Sequence, residues 1–556
     1  MKTIKNFFIY LTISAFLAVV VQFFLLLNMH EFDAPTNMPP MDTTQVVRVD
    51  SALFVGSSRL CHSTSGLWEM RAVGEPFERG VAIGKLLEPL LYYQENVFVN
   101  QLTEFVPSKT YFNFLKHFIF YFNRNLDKYV DDEFKQEIYG QSLSCSHDFD
   151  FSGSSYFRQM NYHSAHDIGH TMQDYMLVGC SSFAAWDSIT TNGSLLVGRN
   201  MDFYIGEDFA KNKLVSFFFP TDGYKFASIG WPGMVGVLSG MNECGLTATI
   251  NSARAEMPTS SATPISLVIR KILQYASNID EAIAIADSSK IFVSEAILIA
   301  SARDHRAVVI EKTPTRQALF TTQTPYIIST NHYQSAEFAS ETSNIDNVAT
   351  SDSPHRWKRI NELIDSLQPI DYQKCISILR DYRGVGGTNI GIGNEMALNQ
   401  FLGHHSVVFA PDSLMMWVST SPWQCGEYVA YNLATIFANP NSDCQTFATT
   451  SLNVAADTSA TNDLQHLYNY RHYERLVKNY IKNKLPLSIN QIDSFVQANP
   501  MYYRTHELMG DYYAANNNNQ QAITSWQKAL SLAIPKEEQR NHIAKKLKKA
   551  ERKHSK

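Results

Sequence analysis

Residues 180–433 constrain the fold more than any other stretch, because they are written as short apolar runs separated by tight turns. KLVSFFFP, MVGVLSGM, LTATINSA, EAILIASA, AVVIEKTP and YIISTN each have strand length and β-forming composition. Helical stretches interrupt them at ISLVIRKILQYA, NIDEAIAIADSS and HRWKRINELIDSL. Many strands with a few inserted helices predict an α+β class with layered αββα packing. The series opens on GCSSFAAWDSITTNGSLLVGRNMDF at residues 179–203, a hairpin turning at Asn192-Gly193, a pair that accepts the positive φ of a tight turn.

That hairpin brings a thiol, a cation and a carboxylate to one end. Cys180 opens the outgoing strand, and the return strand carries Arg199 and Asp202. A cysteine at the first position of a strand suggests an N-terminal nucleophile. If the Gly179–Cys180 bond were cut, the new α-amino group, with a pKa of about 7.7 to 8.0, would serve as general base and no histidine would be needed. Arg199 would favour the thiolate, and Asp202 would hold the α-ammonium. As bare residues, Arg199 and Asp202 also read as a cross-strand salt bridge, and Cys180 as a buried structural thiol.

The rest of the composition narrows the alternatives. A net charge of −6, with no basic cluster interleaved with aromatics, argues against nucleic acid. The seven cysteines (Cys61, Cys145, Cys180, Cys244, Cys375, Cys425 and Cys444) are scattered and form no Cys-x-x-Cys pair, so neither a zinc site nor a disulfide scaffold is expected, though a single disulfide is compatible. His163, His166 and His170 lack supporting carboxylates and read as structural or maturation residues rather than metal ligands; no metal and no cofactor are expected. GVGGTNIGIG at 384–393 lacks the Lys-Ser/Thr ending of a phosphate loop and reads as a flexible loop near the site.

Several segments, in order, resemble the acyl-coenzyme A:6-aminopenicillanic acid acyltransferases, which are cysteine N-terminal-nucleophile (Ntn) hydrolases, and more distantly the choloylglycine hydrolases and penicillin V acylases. They are GLWEMRAVGEPFERGVAIGKLL, HSAHDIGHTMQDYMLVGCSSFAAW, GMNECGLTATINS, ISTNHYQ and SPHRWKRI, and together they cover residues 65–432. The resemblance implies an αββα sandwich and self-cleavage at Gly179–Cys180 by an N-to-S acyl shift followed by hydrolysis. It implies that Asn251 with a backbone N–H stabilises the oxyanion, that Asn331 bonds the α-amine or substrate, and that Arg356 orients the thiol region. Arg359 competes with Arg356 for the last role. The substrate would be a small acyl amide, with hydrolysis and acyl transfer sharing an acyl-Cys180 intermediate.

Domain boundaries follow from composition. Lys2 and Lys5 precede an uncharged run at 7–27, long enough for a helix of roughly 30 Å, with Glu31 and Asp33 beyond it. Residues 1–29 are therefore expected to be a single-pass signal anchor that places the catalytic part on the extracytoplasmic side. Residues 30–50 read as a linker, 51–179 as a strand-poor pro-region or small chain, 180–437 as the catalytic domain, and 438–463 as an Asn/Ser/Thr-rich linker. Residues 464–556 form a helical tail, with a capping box at Ser488 and Gln491. Its Gly510, Tyr513, Ala522, Trp526 and Ala529 are spaced like one tetratricopeptide repeat, which suits a protein partner. Two other readings stand beside this one. One is a membrane-anchored scaffold with an inactive Ntn domain; the other is a phospholipase B-like lipid amidase or lipase.

Overall fold

The structure is a computed structural model, and it describes residues 17, 19–21, 31–36, 38–41, 43–105, 108–164, 167, 177–254, 260–439 and 446–554. Among these, the strands form an eleven-stranded sheet, a six-stranded sheet and a two-stranded pair. The large sheet begins at its Val47–Val49 edge and continues through Ala52–Val55 and Ser58–His62 to Trp68–Gly74. There it jumps to Leu214–Pro220 in a parallel pairing, Trp68 opposite Leu214 through Gly74 opposite Pro220. It then runs antiparallel through Leu246–Ser252 and Glu295–Ser301 to Gln317–Phe320. The small sheet is ordered Tyr326–Ser329, Ser181–Asp187, Gly193–Met201, His405–Ala410, Met415–Ser419, Tyr428–Asn432.

Three apolar layers give the αββα order expected. Val197, Val215, Phe217, Leu298, Val407 and Phe409 pack between the sheets. Helices Pro76–Phe105, Ile265–Tyr275 and Ile279–Ser288 cover the outer face of the large sheet through residues such as Leu86, Ile269 and Ile285 against Ile250 and Ile297. Ile360, Ile364, Ile376 and Leu379 of helices Ser353–Leu367 and Tyr372–Arg380 cover the outer face of the small one. Central strands are thus buried on both faces; Glu295–Ser301 accordingly reads as a continuous apolar run, while Leu246–Ser252 alternates with threonines that are buried as well.

Several expectations change. Residues 51–74, assigned to a strand-poor region, carry strands of the large sheet. MVGVLSGM contributes only Ser239–Asn242, because the N–H of Val235 bonds His163 Nε2 and that of Val237 bonds the Ser266 carbonyl instead of a neighbouring strand. The hairpin closes at Asp187 opposite Gly193 through a bulge, so Asn192-Gly193 ends a longer loop; Gly193 keeps its positive φ of 76°. The 384–393 loop is held on the tail. Asn499 donates to the Ile392 carbonyl at 2.7 Å and accepts from its N–H at 3.1 Å. The six described cysteines are free thiols, and Cys444, His166 and His170 lie outside the described residues.

The membrane anchor is corrected. No helix among the described residues is long and apolar enough to cross a membrane. The longest, Pro76–Phe105 and Thr461–Asn483, carry charges along their length, and spanning needs about 20 predominantly apolar residues. The 7–27 run lies almost wholly outside the described residues. The single-pass anchor is therefore not supported, and the extracytoplasmic placement built on it goes with it.

The tail is helical as expected. Its helices Thr461–Asn483, Ile489–Ala498, Tyr503–Ala515, Asn519–Leu530 and Glu537–His554 share a core of their own around Tyr470, Phe495, Met509, Trp526 and Ile543. The Ser488–Gln491 capping box is formed. Gly510 lets two helices touch, since a β-carbon there would lie 2.4 Å from Trp526 Nε1.

Candidate active site

Cys180 stands one residue before the Ser181–Asp187 strand and is 1 % exposed. Antiparallel pairing sets Ser182 opposite Arg199, so the guanidinium of the return strand reaches back to the thiol. Arg199 Nη2 lies 3.5 Å from Cys180 Sγ, and Nη1 donates to Asn251 Oδ1 at 2.8 Å. Asn251 comes from the large sheet, so this contact bridges the two sheets. Its Nδ2 donates to Ser182 Oγ at 2.7 Å and to the Ser329 carbonyl at 2.8 Å. In this state, Asn251 braces Arg199.

Arg356, in the first turn of helix Ser353–Leu367, holds the backbone at Cys180. Its Nη1 donates to the Cys180 carbonyl at 2.5 Å and to Ser181 Oγ at 2.9 Å. Its Nη2 donates to Asn331 Oδ1 at 2.8 Å and to Asp352 at 3.1 Å. Asn331 Nδ2 donates to the Ser252 carbonyl at 2.8 Å, so it reaches the thiol region only through Arg356. Arg359 pairs instead with Asp381 and Glu362. Of the two arginines in SPHRWKRI, Arg356 is the one at Cys180.

Asp202 lies on the other side. The Gly179 N–H donates to its carbonyl at 3.1 Å, and both its carboxylate oxygens are buried without a well-formed hydrogen bond. Burial pushes its pKa up to about 7, against the opposing pull of Arg356 and Arg199 and, more weakly, of the Gln424 amide. Burial likewise pushes the Cys180 thiol up, and Arg199 only partly offsets it. The thiol is therefore protonated at neutral pH, and burial outweighs the cation expected to ionise it.

Sequence reasoning missed Glu295. It begins an otherwise apolar strand opposite Ser252, is fully buried, and its pKa is raised well above the ordinary value by burial and by Asp167, with Arg199 opposing. Its one signal was a carboxylate at the head of EAILIASA. His163 is structural: Nε2 accepts from the Val235 N–H at 3.0 Å and Nδ1 donates to the Gln159 carbonyl at 2.8 Å, with burial lowering its pKa to about 4. A small cavity of about 40 Å³, lined by Phe98, Phe203, Phe209, Trp231, Met234 and neighbours, begins at Phe203, the residue after Asp202.

The family model of the acyl-coenzyme A:6-aminopenicillanic acid acyl-transferases matches residues 189–385, a span that holds Arg199, Asp202, Asn251, Asn331 and Arg356. The resemblance to that family holds. Among curated proteins, an uncharacterized protein of Archaeoglobus fulgidus is 29% identical over 176 residues, 30% of this chain and 29% of its own length. Protein dcd1A of Dictyostelium discoideum is 22% identical over 231 residues, 38% of this chain and 50% of its own. The chain thus spans half or less of these relatives. Two solved structures are similar. One is the N-acylethanolamine-hydrolyzing acid amidase ortholog of Caenorhabditis elegans, at 17% identity and TM-score 0.30, with 42% of this chain and 93% of that one covered. The other is a mutant of the conjugated bile acid hydrolase from Clostridium perfringens, at 13% and 0.33, with 48% and 95% covered. The family match supports an amide-acting hydrolase or acyltransferase of the Ntn type.

Proposed function

We propose that the chain is a self-processing cysteine Ntn enzyme that cuts itself at Gly179–Cys180 and then cleaves, or transfers the acyl group of, a small non-peptide amide. The observation that carries this reading is the fully buried Asp202 carboxylate, which has no ion-pair partner among the described residues and whose charge is felt by Cys180, Arg199 and Arg356. An unpaired buried carboxylate is costly. It becomes favourable once the cut creates an α-ammonium for it to hold.

In the first reaction, the Cys180 thiol gives its proton to Asp202 and the sulfur adds to the Gly179 carbonyl carbon. The carbonyl π pair moves to oxygen. Collapse breaks the C–N bond, the departing nitrogen takes the proton from Asp202, and a Gly179–Cys180 thioester remains. Water hydrolyses it to a Gly179 carboxylate and a free thiol. The freed α-amine then serves as base for external amides. Arg356 fixes the Cys180 carbonyl throughout, and the aromatic lining beyond Phe203 supports an apolar acyl group. Hydrolysis and transfer stand level, since only an extracytoplasmic site, poor in acyl-coenzyme A, would favour hydrolysis. The tetratricopeptide-like spacing of the tail supports a protein partner there.

Intact-mass analysis of the purified chain, alone and with a panel of acyl amides and a thiol-directed acyl probe, tests the reading. Two pieces of about 20 and 42 kDa and an adduct on Cys180 are expected. A single chain that the probe leaves unlabelled at Cys180 defeats it.

Asp202 also ties function to stability. Its folded pKa lies above the unfolded value, so the folded state binds the extra proton and stability falls as pH rises from about 4 to about 7. In an uncut Cys180→Ala background, Asp202→Asn is expected to raise stability by about 2–4 kcal/mol at pH 8 and by almost nothing below pH 4, measured by thermal unfolding. With Cys180 intact, self-cleavage should speed up as pH passes about 7 and collapse in Asp202→Asn. An unchanged cleavage rate in Asp202→Asn removes Asp202 from the mechanism.

A further inference from the structure

The loop from Leu398 to His404 brings one more group to the scissile bond. Gln400 is 2 % exposed, and its Nε2 is buried with no hydrogen-bond partner. A β-carbon built on Gly179 would lie 2.5 Å from that nitrogen, so the amide rests directly against the glycine. Absence of a side chain at 179 is what makes room for it.

The loop holds this placement from both sides. The Asn399 N–H donates to the Asp381 carbonyl at 2.8 Å, and Asn399 Oδ1 accepts from the Phe401 N–H at 3.0 Å. Phe401 sits at a φ of 53°, a left-handed conformation that a bulky residue keeps only when its surroundings impose it. Arg471 of the tail donates to the Phe401 carbonyl through Nη2 at 2.6 Å and pairs with Glu207 through Nη1 at 2.8 Å. The His404 N–H returns to the Met201 carbonyl at 2.8 Å, next to Asp202.

We propose that Gln400 is a catalytic residue of self-cleavage: its Nε2–H donates to the Gly179 oxygen as the sulfur adds and negative charge develops there. The proposal rests on the self-cleavage reading above. Gln400 gains and loses no proton in the step; the thiol proton still travels by way of Asp202 to the departing nitrogen. The amide N–H groups of Asn251 and Asn331 are already committed to Ser182, Ser329 and Ser252. The Gln400 Nε2 is uncommitted. A donor unpaired in the ground state and paired in the transition state contributes to rate rather than to ground-state binding. Arg471 is a positioning residue, acting through the Phe401 carbonyl.

The test is the rate at which freshly folded full-length chain separates into two pieces, followed by intact mass. Gln400→Leu should slow it about 10²-fold. Gln400→Glu keeps the size and guards against a folding defect in the leucine variant. Its rate relative to wild type should rise as pH falls, because the carboxyl regains an O–H donor, whereas a purely structural role would leave that ratio flat. Arg471→Ala should slow cleavage less, with Arg471→Lys restoring part of it. Wild-type rates in Gln400→Leu, or a flat ratio in Gln400→Glu, overturn the assignment and leave self-cleavage standing. A wild-type chain that stays whole overturns both.

Discussion

Cys180→Ala is expected to leave the protein as one chain of 63.0 kDa and to abolish turnover of every acyl amide that the wild type accepts. Both losses come from one atom. In the proposed reactions the sulfur is the attacking group in the cut and the carrier of the acyl group afterwards, and alanine offers no substitute. Loss of a nucleophile that works as part of a unit costs at least about 10⁴-fold. The fold should survive, because the change removes a single buried atom beside Arg199, and the braces on the backbone, Arg356 to the Cys180 carbonyl and to Ser181, do not involve it. Cys180→Ser is the companion, since its hydroxyl can still attack Gly179, far more slowly. Two pieces of about 20 and 42 kDa from Cys180→Ala would show that the cut has another author.

The second large effect concerns stability. Glu137 on helix Asp132–Ser142 lies between two fully buried arginines, 2.5 Å from Arg79 and 3.0 Å from Arg270. Each arginine is otherwise used: Arg79 donates to the Gly74 carbonyl at 2.6 Å, Arg270 to the Val235 carbonyl at 2.9 Å, and Arg270 also lies over the rings of Phe218 and Phe226. Glu137→Ala leaves two guanidinium charges without a counter-ion in the core, which costs about 3–5 kcal/mol. Glu137→Gln should cost less, because hydrogen bonds persist while the charge does not. Burial alone would push the Glu137 pKa up, but Arg270 and Arg79 outweigh it and hold it below the usual value. Its contribution is therefore present above the unfolded carboxylate pKa and is lost as pH falls through the lower folded one. Denaturant unfolding at pH 7 and at pH 3 checks both statements. A change below about 0.5 kcal/mol at pH 7 would mean that the arginines find other partners.

The layers and the nucleophile hairpin were legible because they depend on local pattern. Strands buried on both faces announce themselves as apolar runs, and Cys180, Arg199 and Asp202 converge through one hairpin whose register needs little more than a turn to set it. Arg356 was legible only through its motif; its reach to the Cys180 carbonyl spans 176 residues and no local rule predicts it. Glu295 and Gln400 were illegible for the same reason. Each is an ordinary polar residue until tertiary packing buries it, Glu295 within the field of Asp167 and Arg199 and Gln400 against Gly179. Of the strands at 52–74, Trp68–Gly74 escaped notice because its partner at 214–220 lies far along the chain, whereas Ala52–Val55 and Ser58–His62 pair with near neighbours and were simply too short to stand out. The anchor was read from composition alone, and no helix among the described residues is long and apolar enough to cross a membrane.

The parallel ladder between Trp68–Gly74 and Leu214–Pro220 would give the proposed cut a lasting consequence. It joins seven residues from one side of the Gly179–Cys180 bond to seven from the other, in the middle of the large sheet. While the chain is whole, a denatured molecule can restore that ladder by itself. Once cut, it must first find its other half, so renaturation becomes a second-order encounter that fails on dilution. The processed enzyme would then owe its lifetime to the height of its unfolding barrier rather than to an equilibrium that it can revisit.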